Sequence, residues 1–211
     1  YCWQAWGRPS QLAPPGDWLI WLLLAGRGCG KSRAGAEFIR TEVESGRARR
    51  ICHVAKTPAD VRDVMVEGDA GFLHISPPWN MPVYEPTKRR LTWPNGAMAL
   101  AFSSHEPDQL RGPEFDAAWA DEIGAWAYPS ETWDNMMLAL RAGQHPRVVA
   151  TTTPRPIKLL RDLLSNPHAI VTRGTTYENR KNLAESFYQQ VVSRYEGTTR
   201  GRQEIYGELL D

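Results

Sequence analysis

Little in this sequence points to a disulfide-built, membrane-embedded or strongly charged protein. Cysteine is scarce: the 211 residues hold three, Cys2, Cys29 and Cys52, an odd number without metal-ligand spacing. That argues against a disulfide framework and leads us to expect reduced thiols in a cytosolic setting. Apolar runs are short, and none approaches the roughly 20 residues that a membrane-spanning helix needs. No signal peptide opens the chain, so no membrane partner is expected. Charge of one sign is missing too. Lys and Arg number 25 against 24 Asp and Glu, a formal net charge of +1. The global basic field of a nucleic-acid coat protein is therefore absent, and any DNA contact must come from local patches. No repeat or low-complexity linker divides the chain. Its length suits one α/β domain with a sizeable core, or a domain plus a small lid.

What is present concentrates in Leu22-Leu23-Leu24-Ala25-Gly26-Arg27-Gly28-Cys29-Gly30-Lys31-Ser32. The apolar run Trp18 to Leu24 reads as a buried strand of a parallel sheet, and Lys31 to about Glu44 as a helix. A glycine-rich turn between the two is the setting of a phosphate-binding loop. Gly26, Gly28 and Gly30 let the backbone curl so that successive N–H groups face one anion, and the helix N-terminus adds its positive end. Cys29 fits this loop by its small size. Lys31 would reach the β- and γ-phosphates of ATP, and the Ser32 hydroxyl would ligate Mg²⁺. The usual pattern is GxxxxGK(S/T), and Ala25 stands at its first glycine. The alternative is a Gly-rich strand-to-helix turn that binds nothing.

Elsewhere the chain alternates strands and helices. Residues 1–17 read as an N-terminal arm, in which Arg8 and Gln11 stand out: an amide just upstream of a phosphate-loop strand can bond an adenine edge. Ile51 to Ala55 is a second buried strand, with His53 packed inside it. A helix from Thr57 or Asp60 runs through about Glu67, and residues 68–88 read as irregular with one short helix. A hairpin follows, Arg90 to Trp93 and Ala97 to Phe102 about Pro94-Asn95-Gly96. Arg47, Arg49 and Arg50, and the run Lys88-Arg89-Arg90, are solvated turns or minor candidates for DNA contact.

The second strong signal is the strand Phe115 to Ala120 running straight into Asp121-Glu122. Two carboxylates at the carboxyl edge of a sheet, beside a phosphate loop, suit Asp121 as the metal-binding residue and Glu122 as the group that polarises an attacking water. Taken alone, adjacent acids can simply cap a helix. Arg147 to Ala150 forms another strand and ends in Thr151-Thr152-Thr153. There, Thr152 and Thr153 are placed to sense a γ-phosphate, or are ordinary β-branched strand residues. Glu131 to Ala142 reads as helical and closes at Arg141. A short helix spans Ile157 to Leu164, a last strand Ile170 to Thr176, and two helices, Phe187 to Tyr195 and Thr199 to Leu210, form a small C-terminal lid over residues 177–211.

Four stretches together resemble one family, the ATPase domain of the large terminase subunit of tailed bacteriophages and gene transfer agents. They are Trp21 through Phe38, Leu110-Arg111-Gly112-Pro113, Trp119-Ala120-Asp121-Glu122, and Arg147 through Pro156. An arginine inside the phosphate loop, here Arg27, is characteristic of it. The resemblance implies an α/β P-loop NTPase with a mostly parallel central sheet flanked by helices, its core over 18–176. It implies ATP and Mg²⁺ as cofactors. Gln11 would sit at adenine, Lys31 and Ser32 at phosphate and metal, Asp121 at the metal, Glu122 as catalytic acid, and Thr151 to Thr153 at the coupling of hydrolysis to motion. Arg27 would act within its own subunit, and Arg141, at a Leu-Arg-x-Gly place, would be a finger supplied to a neighbour. Partners implied are double-stranded DNA, a portal protein, a small terminase subunit and further copies in a ring, with a monomer in isolation and the host cytoplasm as location. Family members carry a nuclease domain after the lid; none is expected here, and no nuclease activity with it.

Three rivals share parts of this pattern. A helicase-like remodeller shares the Asp-Glu strand end, but Asp121-Glu122-Ile123-Gly124 lacks the Asp-Glu-x-Asp/His pattern. A P-loop small-molecule kinase uses the same loop without an activated water, which Glu122 argues against. A nucleotide-binding scaffold would show little turnover.

Overall fold

Alternation along the first strand shows how the sheet becomes a central layer. The structure is a computed structural model that describes residues 1–210, Val191 through its backbone alone. Strand β1 (Ile20–Ala25) is buried along its whole length. Trp21 and Leu23 enter one apolar cluster, while Ile20, Leu22 and Leu24 enter another. This is the period-two pattern of a strand covered on both faces.

Seven further strands complete the sheet: β2 (Arg50–Ala55), β3 (Val83–Glu85), β4 (Arg90–Thr92), β5 (Met98–Ser103), β6 (Ala117–Ala120), β7 (Arg147–Thr152) and β8 (Ala169–Gly174). Their order is β3-β4-β5-β2-β6-β7-β1-β8. The pairs from β5 through β8 are parallel, and β3 and β4 add an antiparallel edge. Helices α1 (Trp3–Trp6), α2 (Lys31–Glu44), α3 (Pro58–Asp60), α4 (Phe72–Ile75), α5 (Pro129–Ala139), α6 (Lys158–Leu164), α7 (Glu185–Tyr195) and α8 (Thr199–Glu204) surround it. On one face α2 packs Ala34, Phe38, Ile39 and Val43 into the first cluster, with Phe72 of α4. On the other, α5 and α6 supply Trp133, Met136, Leu160 and Leu163. This is the expected α/β architecture: a mostly parallel sheet between helical layers.

His53 is a packed strand residue, stacked on Phe72 with ring centroids 4.8 Å apart. Burial lowers its pKa to about 3, which keeps the imidazole neutral. Thr57 caps α3 reciprocally with Asp60, and the chain then widens into a π-type turn, Val61–Val66.

Several boundaries differ from the sequence reading, three of them with a clear cause. The stretch 68–88 contains strand β3, pinned by cross-strand pairing of Val83 with Thr92 and Glu85 with Arg90. Helix α5 stops at Ala139, before Arg141, because the chain turns back to pair Phe115 N with Ala139 O and Ala142 N with Phe115 O. Helix α8 stops at Glu204 because Ile205 is drawn into the core, fully buried, with its carbonyl accepting from Thr176 N.

The parallel strands bring the ends of β1, β6 and β7 to one edge, with β7 lying between the other two. The glycine loop after β1 and the Asp-Glu pair after β6 therefore face one another across the threonines of β7.

Candidate functional site at the carboxyl edge of the sheet

The loop between β1 and α2 needs its glycines. Gly28 and Gly30 adopt φ of 72° and 89°, the left-handed region that side chains resist. A Cβ on Gly26 would lie 2.4 Å from the Ile205 carbonyl oxygen, so only glycine lets the C-terminal segment approach. Among the described residues, nothing accepts a hydrogen bond from the backbone N–H groups of Gly28, Gly30, Lys31 or Ser32. Several unpaired donors at one loop and helix start form an anion nest. They open on a cleft of about 440 Å³ lined by Arg27, Gly28, Gly30, Lys31, Ser32, Glu122 and Thr153, among others.

Lys31 is the buried cation of this cleft, 7% exposed. Its Nζ donates to Ala25 O, Gly26 O and Thr153 Oγ1, each at 3.1 Å, and stands 3.4 Å from Glu122 Oε1. Glu122 accepts from Thr153 N at 3.1 Å and from Thr153 Oγ1 at 3.4 Å. Thr153 thus connects the lysine to the glutamate through one hydroxyl. Glu122 also holds φ 47°, a left-handed conformation that a non-glycine residue keeps only where its surroundings enforce it. The result is a carboxylate turned toward the cleft at the end of β6.

Its neighbour Asp121 lies deeper. The side chain accepts from Thr151 Oγ1 at 2.6 Å, and its backbone oxygen accepts from Trp126 Nε1 at 2.9 Å. Burial, reinforced by the charge of Glu122, pushes the Asp121 carboxyl up to about 7. A buried carboxylate whose ionisation is this costly suits a cation, which would restore the charged form. Thr152 turns elsewhere: its hydroxyl accepts from Gly124 N at 3.0 Å and donates to Thr153 O at 2.8 Å, fixing the turn after Glu122.

Other anticipated residues occupy distinct places. Ser32 lines the cleft directly after Lys31. Cys29 is buried, and burial raises its thiol pKa, so it packs as a small residue. Gln11 is 6% exposed, and its Nε2 donates to Gly30 O at 3.0 Å. The Arg27 guanidinium, largely exposed, pairs with Glu204 of α8 at 3.2 Å. Arg141 lies at the opposite edge of the sheet, paired with Glu114 at 3.1 Å and donating to Leu138 O at 2.8 Å. The structure therefore brings Gly26 through Ser32, Asp121, Glu122 and Thr153 together, and separates Arg141 from them. Two cleft arginines escaped the sequence reading, Arg33 and Arg155. Arg155 was visible only as part of Thr151-Thr152-Thr153-Pro154-Arg155-Pro156, where nothing distinguished it from a loop arginine.

Residues 22–211 match the family model described as terminase large subunit, T4likevirus-type, N-terminal. The chain belongs to that family. Its match covers the N-terminal part of a terminase large subunit. A search of curated proteins returned no match. Among solved structures, the terminase domain is similar to the large terminase ATPase domain of Thermus phage P74-26, at 13% identity and TM-score 0.68, over 92% of this chain and 90% of that one. It is similar to the large terminase of a thermophilic bacteriophage in complex with ATP-gamma-S, at 13% identity and TM-score 0.74, over 99% of this chain and 51% of that one. A third is the HK97 bacteriophage large terminase, at 14% identity and TM-score 0.65, over 93% and 47%. At these identities the likeness is one of fold, and the terminase domain spans about half the length of the latter two proteins.

Proposed function

We propose that this domain hydrolyses ATP with Mg²⁺ at the carboxyl edge of its sheet, and that hydrolysis drives double-stranded DNA into a capsid. The observation carrying the chemistry is the convergence of Lys31, Thr153 and Glu122 on a nest of free N–H donors. The nest and Lys31 take the phosphates, because fixed donors in a water-poor cleft stabilise charge without reorganising. The Ser32 hydroxyl and the Asp121 carboxylate would hold Mg²⁺, which neutralises phosphate charge when bound. Glu122 orients and polarises the attacking water, and Thr153 reports the state of the γ-phosphate to β7. Thr152 supports that turn from behind.

Beyond donating to Gly30 O and accepting from Arg8 N at 3.4 Å, Gln11 retains one amide hydrogen and one oxygen lone pair, enough to read an adenine edge. Arg27 acts within its own subunit once released from Glu204. Arg141, on the far edge, serves a neighbouring copy in a ring, where an arginine supplied in trans stabilises transition-state charge. The segment 177–211, whose last residue lies outside the described ones, is the lid, and residues 1–17 the arm. Portal protein, small terminase subunit and further copies of the chain are the partners of the assembled motor, in the host cytoplasm. No nuclease activity is assigned to this chain.

Phosphate release by the purified domain, with Mg²⁺ and with a chelator, tests the reading. Turnover of ATP without DNA or acceptor is expected, lost when the metal is removed. Metal-independent release, or none at any protein concentration, would contradict it.

A further inference from the structure

Every carbonyl from Ala25 through Gly30 accepts a hydrogen bond from a side chain, the last four from side chains outside the loop. Lys31 Nζ takes those of Ala25 and Gly26. Thr176 Oγ1 donates to Arg27 O at 2.7 Å, Asn179 Nδ2 to Gly28 O at 2.7 Å, Arg8 Nη2 to Cys29 O, and Gln11 Nε2 to Gly30 O at 3.0 Å. A peptide unit is rigid, so a carbonyl drawn outward turns the next N–H inward. Holding the oxygens of Arg27 and Cys29 therefore aims the N–H groups of Gly28 and Gly30 into or along the cleft, while the peptide between them, held by Asn179 at Gly28 O, turns the Cys29 N–H onto Gly26 O at 3.4 Å and closes the turn that joins them.

Two of these donors come from opposite ends of the chain and bind each other. Arg8, in the arm, donates through Nη1 to Asn179 Oδ1 at 2.5 Å. Asn182 Nδ2 donates to the same oxygen at 2.9 Å. These two donors fix the Asn179 amide, with oxygen toward Arg8 and nitrogen toward Gly28 O. A parallel bond runs beside it, from Ser10 Oγ to Glu178 Oε2 at 2.7 Å. Glycines at 26, 28 and 30 leave the loop with little stiffness of its own, so its shape depends on what holds it.

We infer that Arg8 and Asn179 form a clasp between the arm and the C-terminal helical segment, and that this clasp sets the orientation of the phosphate-binding amides. Both are positioning residues: they touch loop carbonyls on the outside and act on the phosphate through the peptide. The inference rests on the proposed role of the loop as a phosphate site. It makes phosphate affinity conditional on arm and C-terminal segment being docked together. By linkage, phosphate binding in turn favours the docked arrangement.

Calorimetric titration with ADP and with pyrophosphate, on the parent domain and on Arg8→Ala, Asn179→Ala and the double variant, tests the clasp. Each single variant is expected to bind both probes about tenfold more weakly. Equal loss for the two probes places the effect at the phosphates and not at the base. The double variant is expected to be no more than about twofold weaker than the worse single one, because both residues act on one loop segment. With ATP, KM is expected to rise while kcat stays within about twofold, the split of a lost ground-state contact. Should Asn179→Ala fail to fold, Asn179→Asp keeps the size and the Arg8 contact while removing the donor to Gly28, and the same loss is expected. Affinities within twofold of the parent, or effects of the two residues that multiply, would overturn the clasp while leaving the phosphate site standing. A parent domain that binds neither probe would overturn both.

Discussion

At the amino edge of the sheet, Arg47, Arg50, Arg141 and Arg147 each sit against an acid. Arg47 meets Glu42 at 2.6 Å, Arg50 and Arg141 share Glu114 at 3.6 and 3.1 Å, and Arg147 reaches Asp17 at 4.0 Å. At the carboxyl edge, Lys31 and Asp121 are buried, Glu122 is held in a left-handed turn, and four backbone N–H groups lack acceptors among the described residues. The half-exposed pairs at the amino edge, Arg50 and Arg141 with Glu114, contribute roughly 0–1 kcal/mol each and are screened by salt, whereas Glu42 is buried beneath Arg47. Buried charge and unpaired donors at the carboxyl edge are costly to maintain. A fold carries that cost where a ligand repays it, which is why the two edges of one sheet differ in function although both are rich in charge.

The largest break in this comparison is Lys31→Ala. It removes the buried cation from the phosphate cleft, so hydrolysis should fall to background and ATP should bind at least tenfold more weakly. Titration with ATP and a phosphate-release assay check both. Near-normal turnover would move the site elsewhere.

A second contrast is thermodynamic. The Asp121 carboxyl has a folded pKa of about 7 against an ordinary 3.8. The folded state therefore holds this proton more tightly than the unfolded chain does. That contribution is fully present below about pH 4 and is lost as pH rises through about 7. Asp121→Asn removes the dependence. Without metal it should match the parent only at or below about pH 4 and exceed it at pH 8 by up to about 4 kcal/mol, three units at 1.36 kcal/mol each. Urea unfolding in chelator at the two pH values measures the difference. An equal gap at both would mean that Asp121 is not the buried acid described.

The smallest expected effect belongs to the amino edge. Arg141→Ala loses one half-exposed pair, so the isolated domain should keep its stability within about 1 kcal/mol and its basal turnover within about twofold. The proposal of a trans finger predicts a loss only in the assembled ring, where turnover per subunit should no longer rise on assembly. Unchanged ring turnover would assign the finger to another arginine.

The sequence made the carboxyl edge readable because its chemistry is local. Gly26 to Ser32 is one continuous turn, and Asp121-Glu122 ends one apolar strand, so residue type and short spacing carried the reading. What escaped depends on topology. Asn179 meets the loop because β8 pairs with β1 and delivers the segment after Gly174 beside Gly26. Its partner Arg8 lies 171 residues away in the chain. No periodicity encodes such a meeting. Strand β3 escaped for a different reason: three residues give too short a run for alternation, and only pairing with β4 makes them a strand. The left-handed turn at Glu122 was equally hidden, because glutamate gives no sign of positive φ.

The most direct test of the account is Glu122→Gln. The substitution keeps size and one oxygen to accept from the Thr153 N–H while removing the charge that polarises water, and Asp121, Ser32 and Lys31 remain to hold the nucleotide. ATP affinity with Mg²⁺ should stay within about threefold of the parent, while phosphate release at saturating ATP should fall by roughly a hundredfold or more. A variant that binds ATP and hydrolyses it at the parental rate would contradict the account.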